Sequence, residues 1–246
     1  MGSPSIVNRV VKPRLVSRFK VLILRSELLT RIFRFRYFSL NDLDKKLEKY
    51  LDFDNGYFVE LGANDGVNQS NTLFFERFRG WKGILIEPFQ TNYEQLIRNR
   101  SSTNFFKNAA CVGPTYTKPT VELAYSNLMT STLGVNSDIK DPVGHAKQGA
   151  KFWGGNTFVF EAIARTLNSI LIEANAPTLI DLLSLDVEGI ELEILKGVDH
   201  EKFRFRYICV ESREFDELQE YLHSQKYSYV VSLSAHDYLF KTSKLF

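Results

Sequence analysis

The 246-residue sequence predicts an α/β protein with a doubly wound, mostly parallel sheet, and three observations carry that expectation. Short apolar strands begin at Tyr57 and alternate with helical patterns, which is how a parallel sheet covered on both faces reads. A glycine turn follows the first strand, and two runs that look antiparallel close the chain. The 44% apolar and 24% charged residues suit one buried core and exclude disorder or a disulfide-stapled miniprotein.

The strands are expected at Tyr57–Leu61, Gly83–Glu87, Asn104–Val112, Asp181–Asp186, Tyr207–Glu211, Tyr227–Leu233 and Asp237–Lys241, a seven-stranded sheet with an antiparallel C-terminal strand. Helices are expected at Leu40–Leu51, N-capped by Ser39 or Asn41, and at Ser70–Arg79, ended by Gly80. Others fall at Asn92–Arg98, Ala162–Glu173, Ile190–Lys196 and Phe215–His223. Residues 113–156 lose periodicity and read as a substrate lid or insert.

Charge divides the chain. Residues 1–40 carry nine Lys/Arg against one acid, whereas residues 41–246 carry 22 bases and 28 acids. Residues 1–50 are therefore read as a basic helical extension of a domain over 51–246. From Pro13, Leu15, Phe19, Leu22, Leu29 and Phe33 recur at helical spacing opposite Arg14, Arg18 and Arg25. Two readings stay open: a helix packed across the core, or one resting on anionic lipid or another polyanion. The aromatic–basic run Arg31–Phe38 belongs to no nucleic-acid-binding module, so no nucleic-acid partner is expected. Bases interrupt every apolar stretch near the N-terminus, so neither a signal peptide nor a membrane span is expected. Cys111 and Cys209, each in an apolar run, point to a reducing, cytoplasmic setting, with membrane association through residues 1–40 the remaining option.

The chemistry is expected at Glu60-Leu61-Gly62-Ala63-Asn64-Asp65-Gly66, where an acid and glycines leave a buried strand. A dinucleotide turn would begin with glycine at the place of Glu60, and a carboxylate there opposes a pyrophosphate while suiting the ammonium of S-adenosylmethionine. An NAD-dependent oxidoreductase is thereby disfavoured. Glu87, followed by Pro88, ends the second strand where wound folds bind ribose hydroxyls. Asn108 and Ala109 would lie beside the adenine.

These stretches, with Ser70-Asn71-Thr72, Trp81–Pro88 and Ser184-Leu185-Asp186-Val187-Glu188-Gly189-Ile190-Glu191, resemble the FkbM family of S-adenosylmethionine-dependent methyltransferases over about residues 55–241. The resemblance implies a class I methyltransferase (Rossmann-like) fold, a donor held at the first two strands with Asn71 and Thr72 nearby, and O-methylation of a saccharide, glycoconjugate or related hydroxyl. Asp186 is the first candidate base, with Glu188 and Glu211 at the same edge and His236 before the last strand. Asp186 and Glu211, joined by Glu188, would hold Mg²⁺, or one carboxylate acts directly as base; both readings stand at this point. His145, Lys147, Lys151 and Trp153 in the lid are further candidates for base or glycan contacts. The competing reading is a non-catalytic protein that docks through its basic N-terminal segment.

Overall fold

The computed structural model describes residues 36–153 and 155–244. The basic segment anticipated over 1–40 lies, up to residue 35, outside the described residues. A compact unit runs over Tyr37–Phe246, so it starts ahead of the boundary expected at residue 51. Phe38, Leu43, Leu47 and Leu51 are buried in it, which ties 38–51 to the domain and not to an extension.

The segment expected as one helix over Leu40–Leu51 is a 3-10 turn, Leu40–Asp42, followed by α1, Leu43–Glu48. Asn41 and Asp42 adopt left-handed backbone, which breaks the helix between them and α1. The N-cap position of α1 is Asp42, not the Ser39 or Asn41 expected, and Ser39 Oγ instead accepts the Asp44 amide at 2.8 Å and donates to Asp44 Oδ1 at 2.7 Å.

The remaining elements are β1 Tyr57–Leu61, α2 Leu73–Arg79, β2 Lys82–Ile86, α3 Gln90–Asn99, β3 Phe105–Lys107, β4 Ala110–Cys111, β5 Thr120–Tyr125, β6 Ser131–Thr132, α4 Pro142–Trp153 and β7 Phe158–Arg165. The chain ends through α5 Leu167–Glu173, β8 Leu179–Leu185, α6 Glu191–Lys196, β9 Arg204–Glu211, α7 Phe215–Ser224, β10 Tyr227–Ser232 and β11 Asp237–Thr242. Seven strands form the expected sheet in the order β10-β11-β9-β8-β1-β2-β3. All neighbours are parallel except β11, which runs antiparallel to both β9 and β10. Residues 58–61 of β1 are buried on both faces, as a central parallel strand requires. The order reverses between β1 and β8, and ligands bind outside the strand ends at such a switch point.

Three expectations fail around the insert. The single strand over Asn104–Val112 is two, because Asn108 donates its side-chain amide to the carbonyls of Glu87 and Pro88 and interrupts the ladder between β3 and β4. The helix expected over Ala162–Glu173 is the strand β7 followed by α5, with Thr166 capping the helix through the Ser169 amide. Residues 113–156 are not aperiodic either: they contain β5, β6 and α4, and β4-β7-β5-β6 make a second sheet. Alternation over Phe158-Val159-Phe160-Glu161-Ala162 pairs this strand with β5 along six residues. No described helix is long and apolar enough to cross a membrane.

Ser39→Ala should lower stability by about 1 kcal/mol in thermal denaturation; an unchanged melting temperature would remove the Ser39–Asp44 pair from the account of this entry segment.

Candidate active site

The turn leaving β1 is shaped by contacts to neighbouring strands. Gly62 has φ +74°, and a Cβ there would overlap the carbonyl oxygen of Asp186, so only glycine lets this turn run against the end of β8. The Ala63 amide donates to the Ile86 carbonyl at 3.1 Å, and the Asn64 amide donates to Glu87 Oε2 at 2.9 Å. Beyond it, Asp65 Oδ1 accepts the amides of Val67 and Asn68, folding the loop back.

Glu60 does not face a ligand. Its buried carboxylate accepts from Ser70 Oγ, the Asn71 amide, Thr72 Oγ1 and Arg100 Nη1, at 2.6–3.2 Å. The role assigned to it, meeting the donor's ammonium, is corrected: the charge is already matched inside the protein. Arg100, which sequence reasoning missed, is wholly buried and also reaches Glu76, Thr72 and the Gly66 carbonyl. The signal was an arginine at the end of an amphipathic helix, indistinguishable in sequence from a surface one. Asp65, Gly66, Asn71 and Thr72 shape the loop from within and do not line the cavity, and Asn108 braces its floor through backbone carbonyls.

Gly62, Ala63, Asn64, Glu87, Pro88 and Ala109 do line a cavity of about 820 Å³, its open mouth included. Leu123 and Thr132 of the second sheet, with Asn127, Leu128 and Thr130 from the turn between β5 and β6, roof it, and Asp186 and Glu188 form its other end. Glu87 keeps one amide on each oxygen, from Asn64 and Phe89, and burial pushes its pKa up to about 7. Its remaining lone pairs suit a diol.

Asp186, Glu188 and Glu211 bring one carboxylate oxygen each within 4.8 Å of one another. Asp186 is exposed where it lines the cavity at the end of β8, and the protein packed around it, then Glu211 and Glu188, raise its pKa well above the usual range. Burial, then Glu188, raises Glu211 to about 7. The Glu211 carboxylate is close enough to Asp186 to raise its proton affinity. Arg213 pairs with Glu188 at 3.0 Å, Glu211 at 3.5 Å and Asp138 at 3.8 Å. His145 Nε2 is 2.8 Å from the same Glu188 Oε2. Glu191 accepts the amides of Val187 and Gly189 from inside the turn and is raised to about 8, chiefly by burial. His236 is exposed and away from the cavity, its amide on Ser234 and its carbonyl on Ser212, so its candidacy as base is withdrawn. Lys147 and Lys151 are exposed on α4 and line no part of the cavity; the Trp153 side chain lies outside the described residues.

The raised carboxyls set a pH dependence. Glu87, Glu191 and Glu211 hold protons in the fold that the unfolded chain releases above about pH 4.5, so the folded state binds more protons up to about pH 8 and stability falls as pH rises. The ligand-free melting temperature should drop between pH 5 and pH 8, and Glu191→Gln, which keeps an acceptor for the turn, should flatten that slope; an identical slope would contradict it. Arg100→Met, which strands Glu60, should cost about 3–5 kcal/mol in chemical denaturation.

A family model described as a methyltransferase FkbM domain matches residues 60–238. No curated protein matches the chain. Among solved structures, the METTL16 MTase domain aligns at 12% identity with a TM-score of 0.43, covering 82% of this chain and 65% of its own, so the chain spans just under two thirds of that domain's length. With the wound sheet, the glycine turn and the acid-lined cavity inside the matched span, the chain belongs to the FkbM methyltransferase family.

Proposed function

We propose that this protein is a methyltransferase that uses S-adenosylmethionine to methylate a hydroxyl of a saccharide, glycoconjugate or related metabolite. The observation that carries the reading is Asp186: its carboxylate lines the cavity with a raised proton affinity and its backbone carbonyl lies against Gly62 of the donor turn, while the nearby Arg213 is engaged by its neighbours. Family membership displaces the non-catalytic and NAD-dependent readings.

The residues present suit the donor. Glu87 and the Asn64 turn would hold the ribose, Ala109 and Pro88 leave room for the base, and Asp186 and Glu188 supply negative charge to its amino-acid and sulfonium end. When bound, S-adenosylmethionine supplies an electrophilic methyl group. Asp186 accepts the proton of the acceptor hydroxyl, so it must be ionised before each turnover. Asn127, Thr130 and Glu188 offer donors and acceptors to neighbouring hydroxyls of a sugar. The Mg²⁺ reading is less well supported than the direct base, because Arg213 and His145 already occupy Glu188 Oε2. The free, buried Cys111 and Cys209 support a reducing compartment.

Calorimetry should register S-adenosylmethionine binding that Glu87→Ala weakens at least about tenfold, through lost ribose hydrogen bonds. Asp186→Asn should leave donor affinity within about threefold yet lower labelled-methyl transfer to an oligosaccharide array by about 10²–10⁴. Full activity in Asp186→Asn would refute the assigned base. Transfer should survive chelation and rise with pH above the usual carboxylate range, as Asp186 loses its proton.

A further inference from the structure

Glu188 is the one residue of the Asp186–Gly189 turn with left-handed backbone and a long side chain, φ +59°, a conformation that costs free energy outside glycine and asparagine. What holds it is visible on both sides. From inside, the Glu191 carboxylate takes the amides of Val187 and Gly189. From outside, Glu188 Oε2 sits between His145 Nε2 at 2.8 Å and Arg213 Nη2 at 3.0 Å. His145 belongs to α4, whose segment of chain also supplies the cavity roof.

The same segment closes on the turn at a second point. The Asp138 amide donates to the Gly189 carbonyl at 2.9 Å, and the Arg213 amide donates to Asp138 Oδ2 at 3.1 Å. A Cβ on Gly189 would come within 2.6 Å of Ser137 Oγ and 2.7 Å of Asp138 Oδ1, so the approach depends on glycine at this position. A third tie joins the roof to the donor turn, Asn64 Nδ2 to Asn127 Oδ1 at 3.1 Å.

We propose that His145 and Arg213 are positioning residues: by gripping Glu188 they hold the roof segment, residues 127–145, against the Asp186 turn and keep the Arg213 guanidinium on Glu188 and Glu211 instead of on Asp186. Glu188 is then a strut and not a second base. An arginine released from Glu188 would be drawn to the nearest carboxylate, and Asp186 lies within the same 4.8 Å cluster. This inference rests on the reading of Asp186 as base only in its consequence for the chemistry; the grip itself is independent of that reading.

The experiment compares the full chain with His145→Ala, His145→Gln, Glu188→Gln and Gly189→Ala by amide hydrogen exchange, with and without S-adenosylhomocysteine, and by calorimetry with that ligand. His145→Ala and Gly189→Ala should speed exchange at residues 127–145 at least about tenfold, with β1, β2 and β8 unchanged, and weaken the ligand by a similar factor. His145→Gln, which can still donate to Glu188, should recover most of both effects. Glu188→Gln, which loses the charge that holds His145 and Arg213, should speed exchange over the same residues. The proposal is overturned if His145→Ala leaves exchange at 127–145 unchanged, if Gln fails to rescue it, if Glu188→Gln leaves exchange there unchanged, or if protection is lost uniformly across the chain. If the wild type does not bind S-adenosylhomocysteine, the proposed function fails, while the exchange data still decide for or against the grip.

Discussion

The buried pairing of Glu60 with Arg100 is the constraint on which the site depends. A carboxylate 4% exposed at the end of a central strand is costly unless matched. Here four groups match it, Ser70, Thr72, the Asn71 amide and Arg100, while Glu76 shares the arginine. The loop from Gly62 to Thr72 is thereby wrapped around an internal charge, and its outer side becomes cavity wall. Removing the arginine would leave the charge without a counterpart in the interior, which is why the pair works as a structural unit and not as half of a ligand site.

Negative charge for a cationic donor comes from elsewhere. The ends of β8 and β9 contribute Asp186, Glu188 and Glu211, crowded enough that mutual repulsion adds to burial in raising two of them. Arg213 offsets part of that charge from one side only. Proton affinity at the sheet edge is thus set by three side chains from two strand ends, while the nucleoside end of the cavity is governed by Glu87 and the donor turn.

Much of this was legible in the sequence. The wound sheet, its seven strands and the reversed β11 follow from apolar runs bounded by turn residues, and Glu87 and Asp186 follow from their places at strand ends. The second sheet was not, because Ala162–Glu173 is rich in helix formers and β7 is stabilised by pairing with β5, a contact across more than thirty residues that local pattern cannot register. Glu60 was misjudged for a related reason: the motif marks the acid, but only the position of Arg100, forty residues on, decides which way the carboxylate is spent. The links of His145 and Arg213 to Glu188 were equally invisible, being fixed by the path of the insert.

The central claim is that this cavity receives a cationic methyl donor against carboxylates that ionise near neutrality. The most direct measurement is the ratio of affinities for S-adenosylmethionine and its uncharged-sulfur product, S-adenosylhomocysteine, by calorimetry at pH 6 and pH 8. The account predicts that preference for the sulfonium compound grows as the pH rises and Asp186 and Glu211 lose their protons. A preference that stays constant or shrinks over that range would contradict it.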